Sequence, residues 1–228
     1  MSVSDPAAVH PATAIGAFPD RPPVPAAIAA TRVLAILRRV PPAAASDVVA
    51  ALVDGGIRAV EITLDSEGAL DLIARLRETH GEDLTIAAGT VVGLAAARSA
   101  LAAGADMMVS PHTDVAMVAT LAAEGVACVP GTFTASEIVT AWQAGAAAVK
   151  VFPVSALGAG GVRDLCGPLG FIPLMCSGGV TVEVAPALVA AGAYGVGMGS
   201  TLVDLGAGPE VLTARAWALI DAVAAARR

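Results

Sequence analysis

The chain has 228 residues, of which 56% are hydrophobic but only 3% aromatic, and its formal net charge is −7 at pH 7. This length suffices for one domain with a sizeable core, and the negative charge argues against a nucleic acid or an anionic membrane as the main partner. No apolar run is long enough to span a bilayer, and no signal-peptide pattern precedes Arg21. The three cysteines are odd in number and lack CxxC spacing, which indicates neither a disulfide framework nor a zinc site and fits a reducing cytoplasm.

The first 25 residues differ in composition from the rest. They contain six of the fifteen prolines and show neither helical nor strand periodicity. We therefore predict a flexible Pro/Ala-rich tail at residues 1–25 and one folded domain at residues 26–228.

From Arg32 onward one unit recurs, a short apolar strand and an alanine-rich amphipathic helix that ends at a glycine. The predicted strands are 33–38, 59–64, 84–88, 107–110, 127–130, 147–152, 172–176 and 193–198. The predicted helices are 46–54, 67–79, 93–103, 114–124, 135–144, 161–169, 182–191 and 209–226. Thr134 and Glu137 form a capping-box pattern at the start of one of them. Eight alternating pairs predict an α/β fold, a single-domain (β/α)₈ TIM barrel, with an open doubly wound sheet as the alternative.

Lys150 is the single lysine of the chain, and it lies in the apolar sixth strand. A lysine buried among apolar residues loses the hydration that stabilises its charged form, so a neutral amine that can form a Schiff base with a carbonyl becomes accessible. The alternative is a strand-end lysine whose stem packs while its ammonium reaches water. We favour the catalytic interpretation, because unpaired buried lysines are rare.

Glu61 is a carboxylate in the apolar second strand. In a barrel it would share the catalytic end with Lys150, where desolvation favours the protonated form and suits the group to proton transfer. The alternative is an outward-facing residue paired with a helix arginine. We predict the acid/base role.

Two glycine turns follow the last two predicted strands, Ser177-Gly178-Gly179 and Gly199-Ser200. Turns at these places expose backbone N–H groups, which we expect to lie at the starts of the following helices and to bind a phosphate. Either turn alone could be a plain chain reversal.

His112 follows Pro111 at the predicted mouth and could contact substrate, although a lone histidine is more often structural. His80 is predicted on the opposite face and His10 in the tail. The histidines and cysteines cannot be gathered into a plausible metal cluster, so a metal-dependent barrel enzyme is disfavoured.

Eight segments, taken in chain order, carry a resemblance to a known family: LAILR (34–38), AVEITL (59–64), AAGTVV (87–92), VSPH (109–112), VPGTFTASE (129–137), AVKVFPVSALG (148–158), SGGV (177–180) and GMGS (197–200). They resemble the class I aldolases that cleave 2-dehydro-3-deoxy-6-phosphogluconate or its galactonate epimer, over about residues 32 to 205. EITL together with KVFP is the specific part of the resemblance.

The resemblance implies roles for individual residues. Lys150 would be the Schiff-base lysine and Glu61 the acid/base, while Thr90 and Pro111 would contact the pyruvate half. The phosphate loops would include Gly178, Gly179, Gly199 and Ser200. The resemblance also implies a homotrimer that needs no metal or other cofactor.

One position departs from the gluconate-type enzymes, which carry an arginine four residues after the glutamate, where this chain has Asp65. The chain resembles the galactonate type, in which an arginine ends strand one, as Arg38 does. A guanidinium fork suits a carboxylate. We expect Arg38 to hold the substrate carboxylate alone and Asp65 to face away from it or to contact hydroxyl groups.

Three other functions stay open at this point. A 4-hydroxy-2-oxoglutarate aldolase would need no phosphate site. A sugar-phosphate isomerase or epimerase would use Glu61 without covalent chemistry, and a non-catalytic sugar-phosphate-binding protein would show no turnover.

Overall fold

The computed structural model describes residues 18–227. Most of the predicted tail therefore lies outside the described residues. Within them a single parallel sheet is formed by nine strands: β1 (Val33–Leu37), β2 (Ala59–Thr63), β3 (Thr85–Gly89), β4 (Met107–Val109), β5 (Ala127–Val129), β6 (Gly131–Thr132), β7 (Val149–Val151), β8 (Leu174–Ser177) and β9 (Gly195–Met198).

The sheet closes into a barrel at β5 and β6, the strands at its two ends. Its order is β5-β4-β3-β2-β1-β9-β8-β7-β6, and its two ends, β5 and β6, are separated in the chain only by Pro130. Proline has no N–H to give to a ladder, so Pro130 interrupts the fifth strand, which was predicted to end there and instead continues as β6. β5 pairs with β4 and β6 pairs with β7, while the Pro130 carbonyl accepts the Lys150 N–H at 2.8 Å. The predicted (β/α)₈ barrel is confirmed, and the open sheet is wrong.

Each predicted helix is present within a few residues of its expected bounds. The helices are α1 (Ala26–Thr31), α2 (Pro42–Asp54), α3 (Ala69–His80), α4 (Leu94–Ala102), α5 (Val115–Ala123), α6 (Ala135–Gln143), α7 (Gly158–Leu169), α8 (Ala185–Ala190) and α9 (Pro209–Ala226), with 3₁₀ turns at Gly81–Asp83 and Val154–Ala156. The predicted capping box of Thr134 and Glu137 starts α6. Helix α1 was not predicted. No helix within residues 18–227 is long and apolar enough to cross a membrane.

Two apolar clusters sort the strand residues by face. In β2 and β7, Val60, Ile62, Val149 and Val151 pack outward against the helices. A second cluster fills the barrel interior and consists of Ile28, Leu34, Ala59, Ala87, Met107, Val109, Ala127, Val129, Ala147, Ala148 and Met175. Because strand side chains alternate, the residues two positions beyond Ala59 and Ala148 also point inward.

Helix α1 and the segment before it cover the N-terminal end of the barrel. Ile28 is 1% exposed and belongs to the interior cluster. Before it, the Arg21 guanidinium lies 3.3 Å from the ring centroid of Trp142 and donates to the carbonyls of Trp142 and Ala146, at 3.0 and 3.3 Å. Phe18 stacks on Phe171, with ring centroids 5.6 Å apart. Residues 18–25 thus differ from the predicted loose tail, because these aromatic and cationic side chains attach them to the barrel.

Candidate active site

Lys150 is the central residue of β7 and is only 5% exposed. Its strand pairs with β6 and β8, in register with Gly131 and Met175, and the Thr132 hydroxyl donates to the Lys150 carbonyl at 3.0 Å. The Lys150 Nζ lies 5.1 Å from the centroid of the Phe152 ring. This burial contradicts the alternative of a strand-end lysine with its ammonium in water.

Glu61 lies inside the barrel on β2 and is 1% exposed. Both of its carboxylate oxygens are buried and accept no hydrogen bond from the residues that the structure describes. Gly89 on β3 supplies the space for this carboxylate, since a Cβ at Gly89 would lie 2.6 Å from the Glu61 Cδ. The alternative of an outward-facing, arginine-paired Glu61 is therefore wrong.

Lys150 and Glu61 approach the lumen from opposite walls. If β5 and β6 are counted as one strand, three strands separate β2 from β7 in either direction around the barrel. No ion pair joins Lys150 to Glu61 or to another carboxylate within residues 18–227. A buried amine and a buried carboxylate thus face one chamber, and neither neutralises the other.

Arg38 follows β1 at the mouth and is held by two neighbours. Its Nη1 donates to Asp65 Oδ2 at 3.3 Å, and its Nη2 donates to Thr90 Oγ1 at 3.1 Å. Asp65 also pairs with Arg39 at 3.5 Å. The Asp65 carboxylate is thus the partner of both arginines, a contact with Arg38 that the sequence did not predict. Burial alone would raise the pKa of Asp65, but the hydrogen bond from Thr63 and the charges of Arg38 and Arg39 bring that pKa below its usual value.

Pro111 and His112 lie on the side of the mouth formed by β4, β6 and β7. Both are exposed, and the His112 carbonyl accepts the Ser110 hydroxyl at 2.6 Å. A cavity of about 380 Å³ opens there, lined by Pro111, His112, Thr113, Gly131, Thr132, Phe133, Ser136, Glu137, Thr140 and Phe152. His112 is thus a mouth residue, whereas His80 ends α3 and His10 lies outside the described residues.

The two glycine turns are neighbours, because β8 and β9 pair side by side. Gly178 and Gly179 have φ values of 86° and 79°, a region that side chains disfavour. A Cβ at Gly178 would lie 2.9 Å from the Phe152 ring, and one at Gly179 would lie 2.6 Å from Ser155 Cβ. Neither position has room for a side chain.

The expectation that helices start at these turns is wrong. After Gly179 the chain forms another turn, in which the Val184 N–H bonds to the Thr181 carbonyl, and α8 starts only at Ala185. After Ser200 a loop precedes α9, which starts at Pro209. The backbone N–H groups of the two glycine turns therefore lie before the first residues of α8 and α9 and not within these helices.

Sequence reasoning missed the roles of three residues that shape the site. Gly89 makes room for Glu61, Asp65 holds Arg38, and Phe152 lies beside both Lys150 and Gly178. The sequence feature that could have indicated the role of Gly89 is its position in AAGT, at the end of the strand that follows the Glu61 strand. Within residues 18–227, no group of three or more His, Cys, Asp or Glu side chains could hold a metal ion.

Known proteins resemble this chain in sequence and in fold. The family model described as KDPG and KHG aldolase matches residues 24–223. The 2-dehydro-3-deoxy-6-phosphogalactonate aldolase of Escherichia coli (strain K12) is 34% identical over 190 residues, which are 83% of this chain and 93% of that enzyme. The solved native KDPGal structure is 33% identical with a TM-score of 0.80, and the match covers 85% of this chain and 95% of that one. A structure of KDPG aldolase from Legionella pneumophila, with pyruvate captured as a covalent carbinolamine intermediate, is 25% identical with a TM-score of 0.71, over 87% of this chain and 96% of that one.

Proposed function

Because the chain belongs to the KDPG and KHG aldolase family, we propose that it is a class I aldolase that cleaves a 2-dehydro-3-deoxy-6-phosphoaldonate to pyruvate and glyceraldehyde 3-phosphate. The observation that carries the proposal is the convergence of Lys150 and Glu61, both buried, on one lumen. Schiff-base chemistry needs an amine and an acid/base group, and here these are the sole lysine and a carboxylate that has no hydrogen-bond partner within residues 18–227.

The proposed reaction starts with attack of the Lys150 amine on the C2 ketone of the keto acid, which gives a carbinolamine. Glu61, directly or through a water, moves the protons that turn the C2 hydroxyl into a leaving water and form the iminium. Loss of the C4 hydroxyl proton then breaks the C3–C4 bond, and the bonding electrons pass to the iminium, which becomes an enamine. The aldehyde leaves first. Protonation of the enamine at C3 and hydrolysis then release pyruvate and restore the amine.

Binding residues are assigned at the mouth. Arg38, with three N–H groups not used by Asp65 and Thr90, would take the keto-acid carboxylate in a fork. Thr90 and Pro111 would border the pyruvate half. The turns at Ser177-Gly178-Gly179 and Gly199-Ser200 would hold the phosphate.

The galactonate epimer is the favoured substrate. Its support is the 34% identical Escherichia coli enzyme together with Arg38 at the end of β1 and a non-basic residue at position 65. Turnover of both phosphorylated epimers and of 4-hydroxy-2-oxoglutarate, compared as kcat/KM, tests this choice. A preference for 4-hydroxy-2-oxoglutarate, which has no phosphate, would contradict the assigned substrate and the phosphate-binding role of the two glycine turns.

A cytoplasmic homotrimer is the proposed form of the enzyme. All three cysteines are free, which suits a reducing compartment. Exposed apolar side chains near the mouth, Val92, Val115 and Phe133, provide material for a subunit interface. Light scattering of the purified chain would measure the oligomeric state.

The deciding experiment is incubation with pyruvate and borohydride, followed by mass spectrometry of the intact chain and its peptides. We expect one adduct, on Lys150. Since the chain has no other lysine, the only competing primary amine is its N-terminus, which peptide mapping separates. Lys150→Ala should lose both the adduct and nearly all cleavage. An unmodified wild-type chain with normal cleavage would rule out the Schiff base. An isomerase or epimerase would instead leave the chain unmodified and would show no cleavage.

A further inference from the structure

The Arg38 guanidinium is held in place by hydrogen bonds from both of its terminal nitrogens. Asp65 accepts from Nη1 and Thr90 accepts from Nη2. The Arg38 side chain is 47% exposed, so without these contacts it would lose little by leaving the mouth for solvent. Asp65 and Thr90 therefore order the Arg38 guanidinium, which would otherwise be mobile.

Asp65 is itself fixed and neutralised by its surroundings. Its Oδ2 atom pairs with Arg39 as well as Arg38. The adjacent Ser66 hydroxyl accepts the Arg39 N–H at 2.8 Å and lies 2.9 Å from the Thr63 hydroxyl. The loops after β1 and β2 are thus tied together. Two guanidinium groups against one carboxylate leave a net positive charge at this edge of the mouth.

The second holder of Arg38 connects it to the chemistry. Thr90 directly follows Gly89, the residue against which the Glu61 carboxylate lies. A guanidinium bound to the Thr90 hydroxyl is consequently anchored beside the strand end next to Glu61. The remaining N–H groups of Arg38 can face a keto acid bound in the lumen.

We propose that Asp65 is a positioning residue for recognition of the keto-acid carboxylate. It orients Arg38, and Arg39 offsets its negative charge so that it does not repel the substrate. This inference rests on the proposed function, since it takes Arg38 as the carboxylate-binding residue. It also explains how a carboxylate at position 65 is compatible with an anionic substrate.

The test isolates the carboxylate by using pyruvate, which has no phosphate. The pyruvate concentration for half-maximal borohydride trapping at Lys150 is measured for the wild type, Asp65→Ala, Asp65→Asn, Arg38→Ala and the double variant Arg38→Ala/Asp65→Ala. Asp65→Ala should raise this concentration about tenfold, the equivalent of one charge-assisted hydrogen bond, with the maximal trapping rate nearly unchanged. Asp65→Asn keeps an acceptor oxygen and should recover most of the affinity.

The double variant separates positioning from a general structural role. If Asp65 acts through Arg38, then Asp65→Ala should have no further effect once Arg38 is alanine. Glu124→Ala is the matched control, because Glu124 pairs with Arg98 on outer helices away from the mouth and should leave pyruvate affinity unchanged. Thermal unfolding of each variant verifies the fold, and Asp65→Leu, which also removes the acceptor oxygens, takes the place of Asp65→Ala if that variant does not fold.

Two results would overturn the inference. One is equal or tighter pyruvate binding by Asp65→Ala, which would mean that Asp65 is neutral or repels the substrate. The other is an additive loss in the double variant. Absence of trapping in the wild type would instead overturn the proposed Schiff-base function, so the two failures are distinguishable.

Discussion

Gly89 and Glu61 lie on adjacent strands in direct contact, and the glycine leaves the space that the carboxylate occupies. A Cβ at Gly89 would lie 2.5 Å from the Glu61 Cγ and 2.6 Å from its Cδ, closer than real Cβ contacts. Gly89 pairs with Thr63 in the β2–β3 register, so the contact is fixed by the barrel wall. The orientation of the acid/base candidate thus depends on a missing side chain.

Gly89→Ala should therefore reduce activity by displacing Glu61. A shift of about 1 Å at a catalytic group can lower the rate about 100-fold, and we expect a loss of that order in kcat. Gly208→Ala is the control, because Gly208 has a φ of −69° and a Cβ there meets no atom within 4 Å. Steady-state kinetics and circular dichroism of both variants provide the measurement. Full activity in Gly89→Ala would mean that the Glu61 position is not critical.

Glu61 should contribute to turnover at the expense of stability. Glu61→Gln is expected to lower kcat about 10²- to 10⁴-fold, the usual size of an acid/base contribution, with the fold intact. A buried polar group without a protein partner costs about 1–3 kcal/mol, so Glu61→Leu should unfold at a higher temperature than the wild type while being inactive. Calorimetry and kinetics on the same preparations measure both effects. An active Glu61→Gln would return Glu61 to a structural role.

Arg38 should govern affinity for the keto acid. Arg38→Lys keeps the charge but loses the planar fork, so it should weaken pyruvate binding and cleavage of both epimers. Because position 65 contacts Arg38, an arginine placed there can reach the same region. Asp65→Arg in the Arg38→Ala background should therefore restore part of the lost kcat/KM. Unchanged cleavage by Arg38→Ala would show that the carboxylate is bound elsewhere.

Activity should survive exhaustive chelation. In the proposed mechanism the Lys150 iminium is the electron sink, so no Lewis acid is required for cleavage. Rates measured after dialysis against a chelator, with metal content determined in parallel, test this expectation. Activity that scaled with metal content across preparations would contradict it.

Arg21 should contribute to stability rather than to catalysis. Its guanidinium stacks on Trp142 and donates to two carbonyls at the far end of the barrel from the mouth. Arg21→Ala is expected to lower the free energy of unfolding by about 1–3 kcal/mol, with kcat/KM retained. Arg75→Ala, which removes an exposed helix arginine without an ion pair in residues 18–227, is the control for urea denaturation. Equal stability of the two variants would contradict the assigned role of Arg21.

The alternation of elements could be predicted because local patterns determine it. Branched-aliphatic strands and glycine-ended helices report directly on backbone conformation, and the order of the units leaves a barrel as the compact solution. The division of the fifth strand at Pro130 and the packing of Ile28 were missed for different reasons. Pro130 was placed at a strand end instead of inside a strand, and α1 is too short and too rich in alanine to show an apolar period.

The chemistry of the site could be predicted only where a residue type was conspicuous in its own segment. A sole lysine and a carboxylate, each in an apolar strand, were visible without tertiary structure. The contacts of Asp65 with Arg38 and of Gly89 with Glu61 join different strands, so they depend on register, which the sequence leaves undetermined. The error about the helix after the first glycine turn has a local cause, since the Thr181 carbonyl and hydroxyl both accept the Val184 N–H and close a turn before α8.

Within residues 18–227, helix α1 covers the N-terminal end of the lumen, and the catalytic residues lie toward the opposite end, where the strands end. The Lys150 backbone pairs with Met175, two residues before the Ser177 turn, so the lysine is anchored deeper in the barrel than the phosphate turns. A pyruvyl group attached to the amine would occupy the inner part of the lumen, and the aldehyde would occupy the outer part. In the condensation direction we therefore expect pyruvate to bind before the aldehyde.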